Sequence, residues 1–212
     1  MRGAMLAALL SGTLSAQALE TAALLPEGPS RALLESKRPI YCETAGVVPV
    51  DFDDALRVFS HPDLMSHVQA AYAEQVLEEG EPEFSIQQTA PAEYFYVNRK
   101  GERTDLSEVV RIQTSETTFD LILYSTGKRF FGSYEALIHV RLLDCGNAGV
   151  GYAASVYAYP ENAVSRFFAR HLGLVTNYFN KKTARMTEMI TLISRSLCEE
   201  ATARDEAGEK QG

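Results

Sequence analysis

Through the middle of the chain apolar and polar positions alternate with a period of two, and on both sides the period lengthens to that of a helix. Between Phe84 and Tyr159 the alternation marks strands at Phe84 to Thr89, Tyr94 to Asn98, Glu108 to Thr114, Phe119 to Ser125, Phe130 to Asp144 and Gly151 to Tyr159. Short polar turn signals separate them at Asn98-Arg99-Lys100-Gly101, Ser125-Thr126-Gly127-Lys128 and Gly146-Asn147-Ala148-Gly149. Such turns are too short for parallel crossovers, so the strands should form one curved antiparallel meander. In the longest strand Tyr134, Ala136, Ile138, Val140 and Leu142 share one face and should point inward. Glu135, Leu137, His139, Arg141 and Leu143 share the other, which should meet solvent.

The flanks supply the remaining elements. Pro39 to Val50 reads as a first strand, Asp51 as the cap of a helix from Phe52 to Phe59, and Ser60-His61-Pro62-Asp63 as the opening of a second helix ending near Glu79. After Pro160, Val164, Phe167, Phe168 and Leu172 precede a break at Gly173. Val175, Tyr178, Phe179, Met186, Met189, Ile190, Ile193 and Leu197 then recur at helical steps, the strongest amphipathic signal in the chain. The final fourteen positions, 199–212, lose their apolar residues and read as a disordered tail. At the other end, residues 1–18 resemble a secretory signal, with Arg2, an apolar stretch from Ala4 to Leu10, and Ala16-Gln17-Ala18 before the cut. Residues 19–38, with Pro26, Gly28 and Pro29, should be a flexible lead-in holding at most one helical turn near Ala32 to Ser36. The expected location is periplasmic or secreted.

Composition narrows the function. A chain of 212 residues, 46% hydrophobic and 23% charged, can build one domain with its own core. Its formal charge of -8 gives no general attraction for nucleic acid. No apolar run reaches the roughly 20 residues needed to cross a bilayer, so no membrane-spanning segment is expected in the mature chain. Cys42, Cys145 and Cys198 lack the paired spacing of a zinc site, and His61 and His67 are not at a same-face helical spacing, so neither metal nor cofactor is expected. Glu135, His139 and Arg141 could form an acid-base cluster, but their placement opposite the apolar set argues for solvent. No catalytic residue is assigned.

The element order, one strand, two short helices, six antiparallel strands and a long closing helix, makes an α+β unit over residues 39–198. Within it, Val48-Pro49-Val50-Asp51-Phe52-Asp53-Asp54-Ala55-Leu56-Arg57-Val58-Phe59-Ser60-His61-Pro62-Asp63-Leu64 resembles the opening of domains of the START-like, helix-grip superfamily, which includes lipid-transfer and polyketide-cyclase-like proteins. The chain lacks the Trp usual after that turn. The resemblance implies a curved sheet of about seven strands around the C-terminal helix.

A curved sheet and one straight helix do not meet along their whole length, so large side chains or an apolar cleft must fill the gap. Candidate ligand contacts are Tyr94, Tyr96, Phe119, Leu121, Tyr134, Ala136, Ile138 and Tyr157 from the sheet, and Phe167, Tyr178, Phe179 and Met186 from the helix. The tyrosines would orient a polar group and the methionine would deform around a flexible one. The expected function is binding or carrying a lipid or other hydrophobic small molecule without covalent chemistry. Two alternatives stand beside it: an envelope protein-protein interaction domain with a filled core, and a small cyclase or hydrolase of the same fold. If one disulfide forms, the proposed topology favours Cys145 with Cys198.

Overall fold

The computed structural model describes residues 17–36, 38–77, 84–129 and 131–161, together with Asn177 and Lys181. Its helices are α1 (17–24), α2 (Pro29–Ser36), α3 (Phe52–Ser60) and α4 (Leu64–Leu77). Its strands are β1 (Ile40–Val48), β2 (Phe84–Ala90), β3 (Glu93–Asn98), β4 (Arg103–Ser115), β5 (Thr118–Arg129), β6 (Gly132–Asp144) and β7 (Val150–Pro160). All seven form one antiparallel sheet in the order β1-β7-β6-β5-β4-β3-β2. Strands β2 to β7 are the expected meander, and β1 closes the other edge by pairing along β7 from Ile40↔Ala158 to Val48↔Val150.

The two edge strands β1 and β2 are neighbours in the chain, so the segment joining them must travel the width of the sheet. At about 4.8 Å per strand that is on the order of 30 Å. Helices α3 and α4 make the crossing. Asp51 caps α3 by accepting from the Asp53 amide at 2.8 Å. Ser60 does not open the next helix as its sequence position implied. It is the last residue of α3, and His61 Nδ1 instead accepts the Asp63 amide at 3.1 Å, fixing the corner before α4. Arg111 of β4 donates to the carbonyls of Phe59 and His61 and pairs with Glu108 at 2.6 Å, placing a cation at the C-terminal end of α3. From α4, Gln69 Oε1 accepts the Ile86 amide at 2.6 Å and so occupies part of the exposed β2 edge.

The sheet is covered on both faces. Phe52, Ala55, Val58, Leu64, Met65 and Tyr72 of α3 and α4 pack on the inner face, against Tyr94, Phe119, Leu121, Val140 and Tyr152. The inward set expected on β6 belongs to this side. The other face differs from the sequence expectation. Residues 19–38 are not a loose lead-in there: α1 and α2 bury Ala22, Leu25, Leu33 and Leu34 against Ile122, Leu137, Tyr157 and Tyr159. The apolar stripe responsible runs across strands, through Ile122↔His139 and Leu137↔Tyr157 in register, so each strand by itself shows too few apolar residues on that face to reveal it.

The turn expected at Ser125-Thr126-Gly127-Lys128 is also absent, because β5 continues through it to Arg129, which pairs with Gly132. Gly127 serves close approach rather than reversal: a Cβ there would lie 3.1 Å from the Tyr134 hydroxyl and 3.0 Å from Thr104 Oγ1. By contrast, the turn at Gly146–Ala148 forms as expected, and Gly149, at φ +100°, has no room for a side chain because a Cβ would stand 2.3 Å from the Val48 carbonyl oxygen. Cys145 is an exposed free thiol beside this turn and Cys42 is a buried one. Cys198 lies outside the described residues. So does the closing helix, of which Asn177 and Lys181 alone are described, both helical and exposed.

Two substitutions check this packing. Leu25→Ala should cost about 2–5 kcal/mol in chemical denaturation if the N-terminal segment is part of the core, and nothing if it is loose. Tyr159 Oη is, among the described residues, a buried side-chain oxygen without a hydrogen-bond partner. Tyr159→Phe should therefore leave the melting temperature unchanged or raise it, by up to about 1 kcal/mol in stability.

Candidate functional site

The inner face divides into two halves. In one, α3 and α4 lie directly on the sheet, and the Phe59 and Phe119 rings meet edge to face at 6.5 Å. Tyr94, Phe119 and Leu121, expected as ligand contacts, are consumed by this packing. Burial raises the Tyr94 hydroxyl above the ordinary phenol range. A narrow cleft remains between Val48, Ala55, Phe59, Leu142 and Tyr152.

The other half is built from the opposite ends of the same strands. Cys42 of β1, Tyr134 and Ala136 of β6, Val156 and Ala158 of β7 and Phe131 form an apolar floor, with Ile40 and Ile138 beside it. These residues form a buried cluster separate from the one that contains the α3 and α4 side chains, with Ile138 bordering both. The floor is low where Ala136 and Ala158 pair across β6 and β7, and high where the Phe131 and Tyr134 rings stand 5.7 Å apart. Of the expected contacts, Tyr134, Ala136 and Ile138 meet here, and Tyr96 joins them from β3.

At the border of this floor sits a buried cation. Arg129, with a side chain only 2% exposed, donates through Nη2 to the Tyr96 hydroxyl at 2.9 Å and to Thr104 Oγ1. Its Nη1 donates to the carbonyls of Lys128 at 2.7 Å and Arg103 at 3.4 Å. The Tyr134 hydroxyl lies 3.3 Å from Thr104 Oγ1, and the guanidinium carbon stands 5.6 and 5.8 Å from the Tyr96 and Tyr134 ring centres. Glu102, 3.8 Å from Arg129 Nε and 35% exposed, is the facing carboxylate, and Asn98 Nδ2 donates to it at 2.7 Å.

Arg129 and Thr104 are absent from the sequence-derived site. A signal for Arg129 was present, since Phe119, Leu121, Leu123, Ser125, Gly127 and Arg129 keep one phase along β5. Reading Ser125 to Lys128 as a turn hid it.

Tyr157 is not part of this site. It lies on the opposite face, where its ring is 5.2 Å from that of Tyr41 and its hydroxyl 3.0 Å from Thr21 Oγ1. The acid-base candidates are there too, and they do not face open solvent. His139 Nε2 lies 2.7 Å from Asp120 Oδ1 and Nδ1 lies 2.9 Å from Thr21 Oγ1. Arg141 Nε donates to Asp120 at 2.7 Å and Nη1 to Glu20 at 3.1 Å, while Glu135 accepts from the Tyr124 hydroxyl at 2.6 Å. Hydroxyl, imidazole and carboxylate stand in the order of a hydrolytic triad, but Thr21 and Asp120 are 1% and 0% exposed and the Thr21 hydroxyl is held by the Gln17 carbonyl at 3.0 Å. The chain of contacts fastens α1 to the sheet and leaves no approach for a substrate. Phe167, Tyr178, Phe179 and Met186 lie outside the described residues. Among the described residues no group of His, Cys, Asp or Glu is arranged to hold a metal, and no helix is long and apolar enough to cross a membrane.

Burial alone would raise the Asp120 carboxyl, but hydrogen bonds from His139, Arg141 and Thr114 outweigh it and hold the group at about 2, below its ordinary 3.8. A depressed carboxyl contributes stability that is complete above the unfolded value and declines as pH falls from about 3.8 through about 2. Asp120→Asn should flatten that acid limb in equilibrium unfolding. At pH 7 it should cost about 3–5 kcal/mol, as expected for breaking a buried charged network.

No family model matches the chain, and no curated relative matches it. Solved structures do. The hypothetical protein jhp0584 from Helicobacter pylori superposes with a TM-score of 0.50 at 8% identity, covering 80% of this chain and 94% of that one. A conserved protein from Geobacillus kaustophilus has a TM-score of 0.47 at 11% identity, covering 75% and 95%. Norcoclaurine synthase from Thalictrum flavum, in complex with dopamine and hydroxybenzaldehyde, has a TM-score of 0.46 at 16% identity, covering 75% and 86%. At such identities the likeness concerns backbone architecture alone. Seven antiparallel strands in this order, with the crossing helices between the first two, give the chain an α+β fold consistent with the helix-grip arrangement.

Proposed function

We propose that the protein binds and carries a hydrophobic small molecule or lipid, without covalent chemistry, over the half of the inner face whose buried residues cluster apart from α3 and α4. The observation that carries this reading is the pairing of the apolar floor around Ala136 and Ala158 with the buried Arg129, Thr104, Tyr96 and Tyr134 group at its border. A floor of small side chains favours an apolar body, and a set of hydroxyl groups at one end favours a single polar head. That combination describes an amphiphile. It requires no nucleophile, and the hydroxyl-imidazole-carboxylate set on the other face is sealed under α1.

Export belongs to the same proposal and rests on the Ala16-Gln17-Ala18 pattern. A carrier between membranes gives an apolar molecule cover from water. Cleavage after Ala18 would remove the Gln17 contacts with Glu43 at 2.8 Å, Tyr41 at 2.6 Å and the Thr21 hydroxyl at 3.0 Å, but would retain Thr21, Ala22 and Leu25 in the chain that packs on the sheet. N-terminal sequencing of protein recovered from a periplasmic extract should begin at Leu19; recovery of uncut chain in the cytoplasmic fraction would refute the export reading.

For binding, native mass spectrometry of protein purified from its own cells, followed by organic extraction, should release a lipid-sized species. Ala136→Phe should weaken displacement of a neutral apolar fluorophore by about tenfold or more, because the ring would occupy the floor. No extractable ligand together with no fluorophore binding would reject the carrier in favour of a filled-core envelope interaction domain.

A further inference from the structure

The corner between α3 and α4 carries two imidazoles, and we propose that it is a proton-sensitive hinge, closed while His61 is neutral and opened when the ring takes up a proton. His61 is exposed at the C-terminal end of α3, and His67 is half-buried in the first turn of α4. The reversal at Pro62 and Asp63 brings their rings to 4.8 Å, tilted by 35°. His61 also holds the reversal together. Its Nδ1 accepts the Asp63 amide at 3.1 Å, and its carbonyl accepts the Leu64 amide at 3.1 Å and one N–H of Arg111. The Asp63 carbonyl in turn receives the Ser66 and His67 amides at 2.9 and 3.1 Å, so the start of α4 hangs on this corner.

A backbone amide can only donate, so the Nδ1 that it meets must keep its lone pair, and a neutral ring is the form this geometry accepts. A proton on Nδ1 sets two donors against each other and ends the bond. Imidazoles as a class change charge between pH 5 and 8, so acid also turns the two facing rings into like charges. Neighbouring charges are committed elsewhere. From β4, Arg111 is a further cation on the His61 carbonyl, and Glu108 is held by it at 2.6 Å. On α3, Arg57 pairs with Asp54 at 3.5 Å, and from β3 comes Tyr94, whose phenol burial keeps neutral. Asp63 is exposed and meets the ring through its amide; among the described residues its carboxylate is paired with neither imidazole, and water screens the attraction it offers.

The hinge moves a wall of the inner face. Phe59, just before the corner, lines the cleft with Val48, Ala55, Leu142 and Tyr152, and Leu64, just after it, is buried in the core. Opening in acid loosens both, whether or not the neighbouring floor carries a ligand.

Amide hydrogen exchange followed by NMR on the full chain, corrected for the intrinsic pH dependence of exchange, reads the hinge directly. From pH 7.5 to pH 5.5, protection at Asp63, Leu64, Ser66 and His67 should fall by about tenfold, while Ile122 and Leu137 in the sheet keep theirs. His61→Asn retains an oxygen that can accept the amide two residues on and does not titrate, so its corner should be equally protected at both pH values. His67→Gln keeps the His61 acceptor and removes one of the facing charges, so the fall should shrink to about threefold. Unchanged protection at the wild-type corner, an equal fall at Ile122 and Leu137, or the wild-type fall in His61→Asn overturns the hinge. An undiminished fall in His67→Gln overturns the part assigned to the ring pair.

Discussion

Connectivity at the sheet edges governs this structure. Because β1 and β2 follow one another in the chain but lie at opposite edges, the chain must cross the inner face early, and it does so as α3 and α4. The crossing needs firm ends, which the Asp51 cap, the His61 corner and the Arg111 contacts with Phe59 and His61 provide. Once two helices occupy one half of the face, its large residues are committed to them. The half around Ala136 and Ala158 forms a separate buried cluster with small side chains at its centre.

The two faces use buried charge differently. On the outer face Asp120 receives His139, Arg141 and Thr114, so its ionised form is satisfied by neighbours in the same network, and the product is attachment of α1. On the inner face, among the described residues, Arg129 donates to hydroxyls and backbone carbonyls, with the Glu102 carboxylate beside it. Both networks read in sequence as polar residues on strands.

How much of the site was legible depends on the range of the signal. The inward phase of Tyr134, Ala136 and Ile138 follows from alternation within a single strand, and these residues do line the floor. Phe119 and Leu121 have the same phase, but their position beneath α3 depends on a crossing that no local pattern reveals. Tyr157 was assigned to the wrong face, because the small and aromatic residues of β7 carry no polar side by which to orient it. Arg129 and Thr104 converge from β5 and β4, twenty-five residues apart in the chain.

The sequence by itself determined the six-strand meander, most strand limits and the helix capped by Asp51 with a second helix after it, since each follows from periodicity, turn residues and capping within a few neighbouring positions. Only the tertiary structure decided that the second face is also covered, that β5 runs on past Gly127, and that one buried guanidinium gathers the Tyr96 and Thr104 hydroxyls. Those outcomes depend on register between strands and on which segment returns to cover which surface. Such contacts arise from chain crossing and cumulative burial, and no short window of residues contains them.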